Sequence, residues 1–463
     1  MSSFSIGSAP ATECKECRKI TAATMPAATV RFRPTVTITL IALNALVYLA
    51  MGLSGVSWTE PSIVHAVQWG ADFGPLTVGG EWWRALTSTF VHFGIIHIGF
   101  NMWCLWSLGS SLELYMGRKT YTVVYFLSGL TASLTSIAWD PWRVSAGASG
   151  AIFGVAGAFL SYLYFKKAPM DPQQVRQKIK SLLIFIGYNL VYGAAGSVDN
   201  SAHMGGLVAG LILGSLAPAI LRRADVAVPA ADPMAPNSAP AVTPSAPVTM
   251  MELAPDEMSH VDRITGLIAA GGVVVLLAAV LWIHGRNIPG THYGKAIRLV
   301  QAGQVKQGMD ELNQAVSLDP NLFFPSALLG ELQLQQGNAQ AAVTALEHSA
   351  ALAPEVFYVE QNLALAYLGV GRPKDALREI GSALEHAKAI SWRAQYIMGL
   401  AAEQSGNSQL ATDSFKSVIQ SNPDFRDARQ ALVRLSAPAS GEPAAPIPFS
   451  ELVFKSPAWP VYP

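Results

Sequence analysis

The sequence predicts an all-α protein in two parts, a polytopic membrane helix bundle followed by an α-solenoid of stacked helix pairs. Three observations predict this. Seven apolar runs lie between Thr35 and Ile283, separated by polar or small-residue linkers, and a helix needs roughly 20 apolar residues to cross a bilayer. Small and large side chains then recur with a period close to 34 residues from Ala296 to Pro423, which is how an array of stacked units is written. Finally, hydrophobic residues make up 51% and charged residues only 13% of the 463, whereas soluble domains carry roughly 25% charge. The formal net charge is zero, so no overall field points to nucleic acid as a partner.

Residues 1–34 form a polar tail with Lys15, Arg18, Lys19, Arg31 and Arg33. It lacks a compact apolar region ending at a small-residue cleavage site, so it is not read as a signal peptide. Cys14 and Cys17 form one CxxC. A structural zinc site needs four ligands and the chain has no second pair, so the two are read as reduced thiols and no metal site is expected.

Thr35–Leu53 is the first crossing. The next stretch carries Trp58, Trp69, Trp82, Trp83 and Arg84; indoles favour the membrane–water interface, so this loop is expected to lie on or partly in one leaflet. Five more runs come next, at about 91–110, 120–138, 150–165, 181–197 and 202–221. The 150–165 and 181–197 runs are short for a span, and short Gly-interrupted helices suit a bundle that encloses a site. Basic residues flank alternate ends, at the N-terminus, at Arg118 and Lys119, from Lys166 to Lys180, and at Arg222 and Arg223, while the other loops carry only Arg84 and Arg143. The positive-inside rule puts the N-terminus in the cytoplasm. The six-crossing bundle is bounded at 35–223.

Crossing number then sets depth. Ser149 starts the fourth helix and His203 the sixth, both running inward, and His97 and Asn101 lie in the outer half of the second. Three segments therefore bring polar groups to one extracytoplasmic level. Gly206, Gly210 and Gly214 give the sixth helix a small-residue face that permits close packing; against the fourth helix, it brings His203 toward Ser149. Taken singly, Ser149 reads as a small helix-start residue, and His97, Asn101 and His203 as interhelical hydrogen-bond partners. Taken together at one depth they read as a catalytic site, because ionisable groups inside membrane segments are rare and usually functional.

These residues resemble the rhomboid family of intramembrane serine proteases. The likeness rests on Gly147-Ala148-Ser149-Gly150, on Ala202-His203-Met204-Gly205-Gly206, on His92 followed by His97-Ile98-Gly99-Phe100-Asn101, and on Trp83-Arg84, and it covers residues 35–222. An α/β-hydrolase is a poor match, since Gly147–Ala151 reads GASGA and not GxSxG. The resemblance implies Ser149 as nucleophile and His203 as general base and acid, a dyad that needs no cofactor or metal. It implies His97, Asn101 and the Ser149 backbone N–H as oxyanion donors, and Phe153 as the ring packed on the base, with no phenolic hydroxyl to offer. Gly147, Gly150 and Gly205 would allow close backbone approach, and His92 is a secondary supporting residue that either lines the water path or simply caps local backbone. Asp199, in the preceding loop, is not taken as a third member. Substrates would be transmembrane helices with Gly, Ala or Pro near their outer ends, which unwind most readily. The alternative is a catalytically silent rhomboid-like scaffold that binds membrane proteins.

Residues 224–262 are rich in Ala and Pro and read as a linker. Residues 263–285 are a seventh crossing, which places the rest of the chain outside the cytoplasm of a multi-pass protein of the cell (inner) membrane. In 290–436, Gly303, Gly337, Gly371 and Gly406 recur at spacings of 34, 34 and 35. Small residues stand seven before and five after each, large apolar ones nine after (Leu312, Leu346, Ile380, Phe415), and Pro320, Pro354 and Pro423 seventeen after three of them. This resembles the tetratricopeptide repeat, in four units with a capping helix, and implies a concave face for a peptide or protein ligand. Residues 437–463 are a Pro-rich tail.

Overall fold

The computed structural model describes residues 33–166, 170–194, 198–217, 221–223, 250–252, 255–354, 356–386 and 391–436. The CxxC, most of the linker and the Pro-rich tail lie outside the described residues.

Helix α1 (Thr35–Leu53) opens the bundle. A long loop comes after it, holding α2 (Ile63–Gln68), strand β1 (Asp72–Phe73), α3 (Gly74–Val78) and α4 (Arg84–Thr87). Arg84 ties this loop together. Its Nη1 donates to the carbonyls of Val67 at 2.6 Å and Ala71 at 3.1 Å, and its Nε pairs with Glu81 at 2.6 Å. Helix α5 (Ile95–Cys104) runs through a π-turn (Leu105–Gly109) into α6 (Ser110–Trp139), where two helical segments meet at Gly117. The segments fold back on each other, since a Cβ on Gly109 would run into the Tyr121 hydroxyl. The helix thus continues past the apolar run that ends near 110. Its polar extension is held by Glu113, which accepts from the N–H groups of Val36 (3.0 Å) and Thr37 (2.9 Å) at the start of α1, where a helix leaves donors unpaired. The other end also differs from the expected run: His92 precedes α5, in the non-helical stretch before Gly94.

Strand β2 (Val144–Ser145) pairs antiparallel with β1, and then come α7 (Ser149–Phe165), α8 (Pro172–Gly193) and α9 (Asn200–Leu216). Helix α7 is the centre of the bundle, buried continuously from Gly150 to Phe159. The glycine face of α9 lies on it. A Cβ at Gly206, Gly210 or Gly214 would strike the carbonyl of Gly150, Gly154 or Ala158 respectively, so the two backbones touch. Helix α8 starts nine residues before the expected run, because Asp171 caps it by accepting from Gln173 N–H at 2.6 Å and Pro172 suits a first-turn position. It sits at the periphery, with Leu183, Ile184, Tyr188, Val191 and Tyr192 exposed.

Strands β3 (Leu221–Arg223) and β4 (Met250–Glu252) pair antiparallel. Helix α10 (Pro255–Arg286) begins inside the stretch expected as linker, its polar first turns engaged by the Lys119–Asp262 ion pair at 2.6 Å. It runs parallel to α6: Thr120 meets Thr265, Leu127 meets Gly272, and Leu134 and Ile137 pack with Ile283. Its other side exposes Leu267, Val274, Val275, Leu277 and Leu281. By length and composition Thr35–Leu53, Ile95–Trp139 and Glu257–Arg286 suffice to cross a membrane, and Ser149–Phe165 is a shorter apolar helix.

Nine helices complete the described chain, in four hairpins and a cap: α11 (Ile288–Gln301) with α12 (Val305–Leu318), α13 (Phe323–Gln335) with α14 (Ala339–Leu352), α15 (Phe357–Gly369) with α16 (Pro373–His386), α17 (Trp392–Gln404) with α18 (Ser408–Ser421), and α19 (Arg426–Ser436). The recurring glycines sit in the hairpin turns at φ 79°, 79°, 72° and 79°, a region L side chains avoid. Leu312, Leu346, Ile380 and Phe415 are fully buried, and Gly330 and Gly399 leave room for Leu346 and Phe415. The first hairpin and the start of α13 share a core with the long loop, where Tyr293, Ile297, Leu312 and Phe324 join Phe73, Leu76 and Val91.

Candidate active site

A cavity of about 710 Å³ opens within the bundle, lined by Ser149, His203, His97 and Asn101 together with Gly147, Gly150 and Phe153. Helices α5, α7 and α9 thus bring their polar groups to one place. His92 and Gly205 do not line it. Gly205 faces α6, where a Cβ would collide with the Thr135 side chain.

Ser149 is the first residue of α7 and is half-buried. The turn before it depends on Gly147 at φ 124°, where a Cβ would lie 2.8 Å from His97 Cε1 and 2.9 Å from Nε2. The Gly147 N–H donates to the Ser88 carbonyl at 2.9 Å. His92 serves the same turn from behind: fully buried, it contacts the Phe90 carbonyl through Nδ1 at 3.2 Å and accepts from the Ala148 N–H at 3.5 Å through Nε2.

His97 Nδ1 accepts from the Phe93 N–H at 3.2 Å, and its ring stacks on Phe93. In the neutral ring this leaves the proton on Nε2, the nitrogen beside Gly147. Asn101, one turn further, donates one Nδ2 hydrogen to the His97 carbonyl at 3.0 Å and has a second to offer. Two N–H donors therefore converge beside the serine turn.

His203 is buried, and its ring stacks on Phe153 at 4.1 Å between centroids and 9° between planes. Neither ring nitrogen has a hydrogen-bond partner, so Ser149 and His203 share the cavity without a direct bond. Catalytic hydrogen bonds are often loose before substrate arrives. Asp199 caps α9, accepting from Ala202 N–H (3.0 Å), Ser201 Oγ (2.5 Å) and Ser136 Oγ (2.5 Å), and it lines the cavity. Burial alone would raise its pKa, but these hydrogen bonds hold it below the usual carboxylate range. Sequence reasoning set Asp199 aside; its position just before a helix start, where Asp is a favoured cap, was the available signal. A fully buried carboxylate, Asp72 on β1, accepts from Thr77 at 2.5 Å and from Ser133 of α6, and burial pushes its pKa up to about 6.

One cavity thus gathers a serine, two histidines and an asparagine near the N-terminal ends of three apolar helices. Residues 79–219 match the Rhomboid domain. Rhomboid protease AarA of Providencia stuartii is 31% identical over 198 residues, covering 38% of this chain and 70% of that protein. Rhomboid protease GluP of Bacillus subtilis (strain 168) is 37% identical over 179 residues, 38% of this chain, and RHOMBOID-like protein 7 of Arabidopsis thaliana is 39% identical over 134 residues, 29% of this chain. The matches span 34% of GluP and 42% of RHOMBOID-like protein 7. The chain belongs to the rhomboid family. Among solved structures, YrrB, a TPR protein with an unusual peptide-binding site, aligns at TM-score 0.30 and 15% identity over 38% of this chain and 85% of its own. MamA aligns at 0.27 and 20% identity over 38% and 92%.

Proposed function

We propose that the chain is an intramembrane serine endopeptidase that cleaves transmembrane helices near the outer membrane face. The observation that carries this reading is the gathering of Ser149, His203, His97 and Asn101 around one cavity. Ser149 Oγ attacks the scissile carbonyl carbon while His203 takes its proton, since a lone serine hydroxyl is a weak nucleophile. The oxyanion forms beside His97 Nε2–H, Asn101 Nδ2–H and the Ser149 N–H, each such donor being worth about 3 kcal/mol of barrier. The C–N bond then breaks as His203 protonates the leaving amine, and a water deprotonated by His203 hydrolyses the Ser149 ester. Phe153 fixes the imidazole plane. Ile96 and Phe100 of α5 and Phe185 and Tyr188 of α8 wall the cavity and provide an apolar route for a substrate helix.

Counting crossings, with the basic flanks, gives a cytoplasmic N-terminus and an extracytoplasmic repeat domain in the cell membrane. The parallel course of α6 and α10 supports this, since it carries the repeats to the end of the bundle where Ser149 lies. The repeats would bind a peptide or protein, either substrate or adaptor. The unpartnered His203 ring favours one second reading, a silent scaffold. The deciding test is cleavage of a single-span substrate in liposomes by wild type, Ser149→Ala and His203→Ala, with a serine-directed fluorophosphonate. Cleavage and labelling lost in both variants support the dyad; a wild type that neither cuts nor labels leaves the scaffold.

A further inference from the structure

The turn that carries Ser149 is joined to the first two repeat units through Trp142. This residue lies in the strap between α6 and α7. Its indole stacks on Phe324 of α13 at 5.0 Å between centroids and 13° between planes, and packs on Tyr293 of α11 at 5.4 Å. Phe73 of β1 closes a further side at 6.2 Å. Phe73 is also in register with Val144 of β2, and Val144 and Ser145 line the catalytic cavity. The β1–β2 ribbon is thus gripped on the repeat side by aromatic rings and ends at the serine turn.

A second anchor holds the same ribbon from its other flank. Helix α11 meets α3 backbone to backbone, since a Cβ on Gly294 would strike the Pro75 carbonyl. The Arg298 guanidinium covers Gly79 and Gly80, 3.3 Å from where a Cβ on Gly80 would stand. His284, at the end of α10, contacts the Val78 carbonyl through Nδ1 at 3.2 Å. Asn287 alone separates α10 from α11, so the first hairpin has little chain with which to swing away. A tether that only kept a recruitment module nearby would need neither the buried rings nor the backbone contact.

We propose that the first repeat unit, together with the opening helix of the second, is a positioning element of the catalytic turn: Trp142, clamped by Phe324 of α13 and Tyr293 of α11, holds β2 and through it Ser149 in register with His97 and His203. This rests on the protease reading of the same site. The repeats then act on turnover itself, beyond any capture of substrate.

The test uses the full chain in liposomes, with Cys14 and Cys17 replaced by Ser, and compares wild type, Trp142→Ala, Phe324→Ala, Phe324→Tyr and the distal core variant Phe415→Ala. Two quantities are read: the rate of fluorophosphonate labelling, which involves no substrate helix, and kcat against KM on a single-span substrate. Misplacing a reacting group by about 1 Å can lower rate on the order of a hundredfold, so Trp142→Ala and Phe324→Ala are expected to lose about tenfold or more in labelling and kcat, with KM within about twofold. Phe324→Tyr restores both, and Phe415→Ala leaves labelling within about twofold of wild type because a distal unit adds stability largely through its neighbours. Wild-type labelling in Phe324→Ala, or an equal loss in Phe415→Ala, overturns the proposal. A short bismaleimide across Val78→Cys and Arg298→Cys checks the docking without catalysis. Failure to crosslink overturns the docking, whereas a chain that crosslinks but never labels, even as wild type, fails on the protease reading instead.

Discussion

Replacing Gly147 by Ala probes the serine turn with a single methyl group, and the structure supplies two separate penalties. The residue sits at φ 124°, so an L side chain there carries strain of about 1–3 kcal/mol. The added Cβ would also lie 2.8 and 2.9 Å from His97 ring atoms, about half an ångström inside ordinary contact. The ring has no easy retreat. Its Nδ1 is held by the Phe93 N–H and its face by the Phe93 ring, so the donor nitrogen and the serine turn must separate. On the proposed mechanism we expect kcat on a fluorogenic single-span substrate in liposomes to fall about 10- to 100-fold with KM nearly unchanged, because His97 as oxyanion donor would act on the transition state and not on the ground state. A double-mutant cycle isolates the route. In a His97→Ala background the clash is gone, so Gly147→Ala should add only the backbone strain, and the two effects on kcat should be strongly non-additive. Full additivity, or a Gly147→Ala enzyme with wild-type kcat, would refute the idea that this glycine sets the distance between the turn and His97.

Other positions give independent checks. Phe153→Ala should lower stability by about 3–5 kcal/mol and lower kcat by freeing the imidazole, while Phe153→Tyr keeps both, as read by thermal unfolding and cleavage. Arg84→Lys should loosen the loop between α1 and α5 by about 1.5–3 kcal/mol, because one ammonium cannot reproduce charged hydrogen bonds to Val67, Ala71 and Glu81; limited proteolysis within 54–94 would show it. Asp199 has a folded pKa below its free value of 3.8, so its stabilisation is complete above that value and lost as pH falls through the lower folded one. Asp199→Asn should therefore flatten the acid limb of unfolding measured against pH; an unchanged limb would show that Ser136 and Ser201 do not hold the charged form.

The sequence made the site legible because its chemistry is spelled in short local patterns on apolar ground. Ser149, His97, Asn101 and His203 stand out as polar residues that hydrocarbon would otherwise reject, and the glycine stripe from Gly206 to Gly214 announces a close helix pair before its partner is known. The repeats were legible for a different reason: each hairpin turn needs a glycine, so Gly303, Gly337, Gly371 and Gly406 mark the period. What stayed hidden depends on partners far along the chain. Hydropathy ends near 110, but the helix continues because Glu113 caps α1, some 76 residues earlier. Of the two roles open to His92, the structure shows the backbone cap and not the cavity lining, and the backbone it reaches is that of Ala148, 56 residues on. Trp142 draws no reading from the sequence, and only the folded chain sets it against Phe324, 182 residues later.

That last contact bears on how the two halves work together. A membrane bundle and a repeat array joined by one residue could still be independent machines, because short linkers constrain distance and leave contact chemistry open. Here the contact is built from the same loop that Arg84 organises and from the segment that carries β2, whose Val144 and Ser145 line the cavity, so the repeats abut the cavity wall through that segment. Packed interiors transmit changes because they hold few voids to absorb them. Gly294 makes the point most sharply: with α11 seated on the Pro75 backbone, a side chain larger than hydrogen has nowhere to go except by lifting the repeat off the loop.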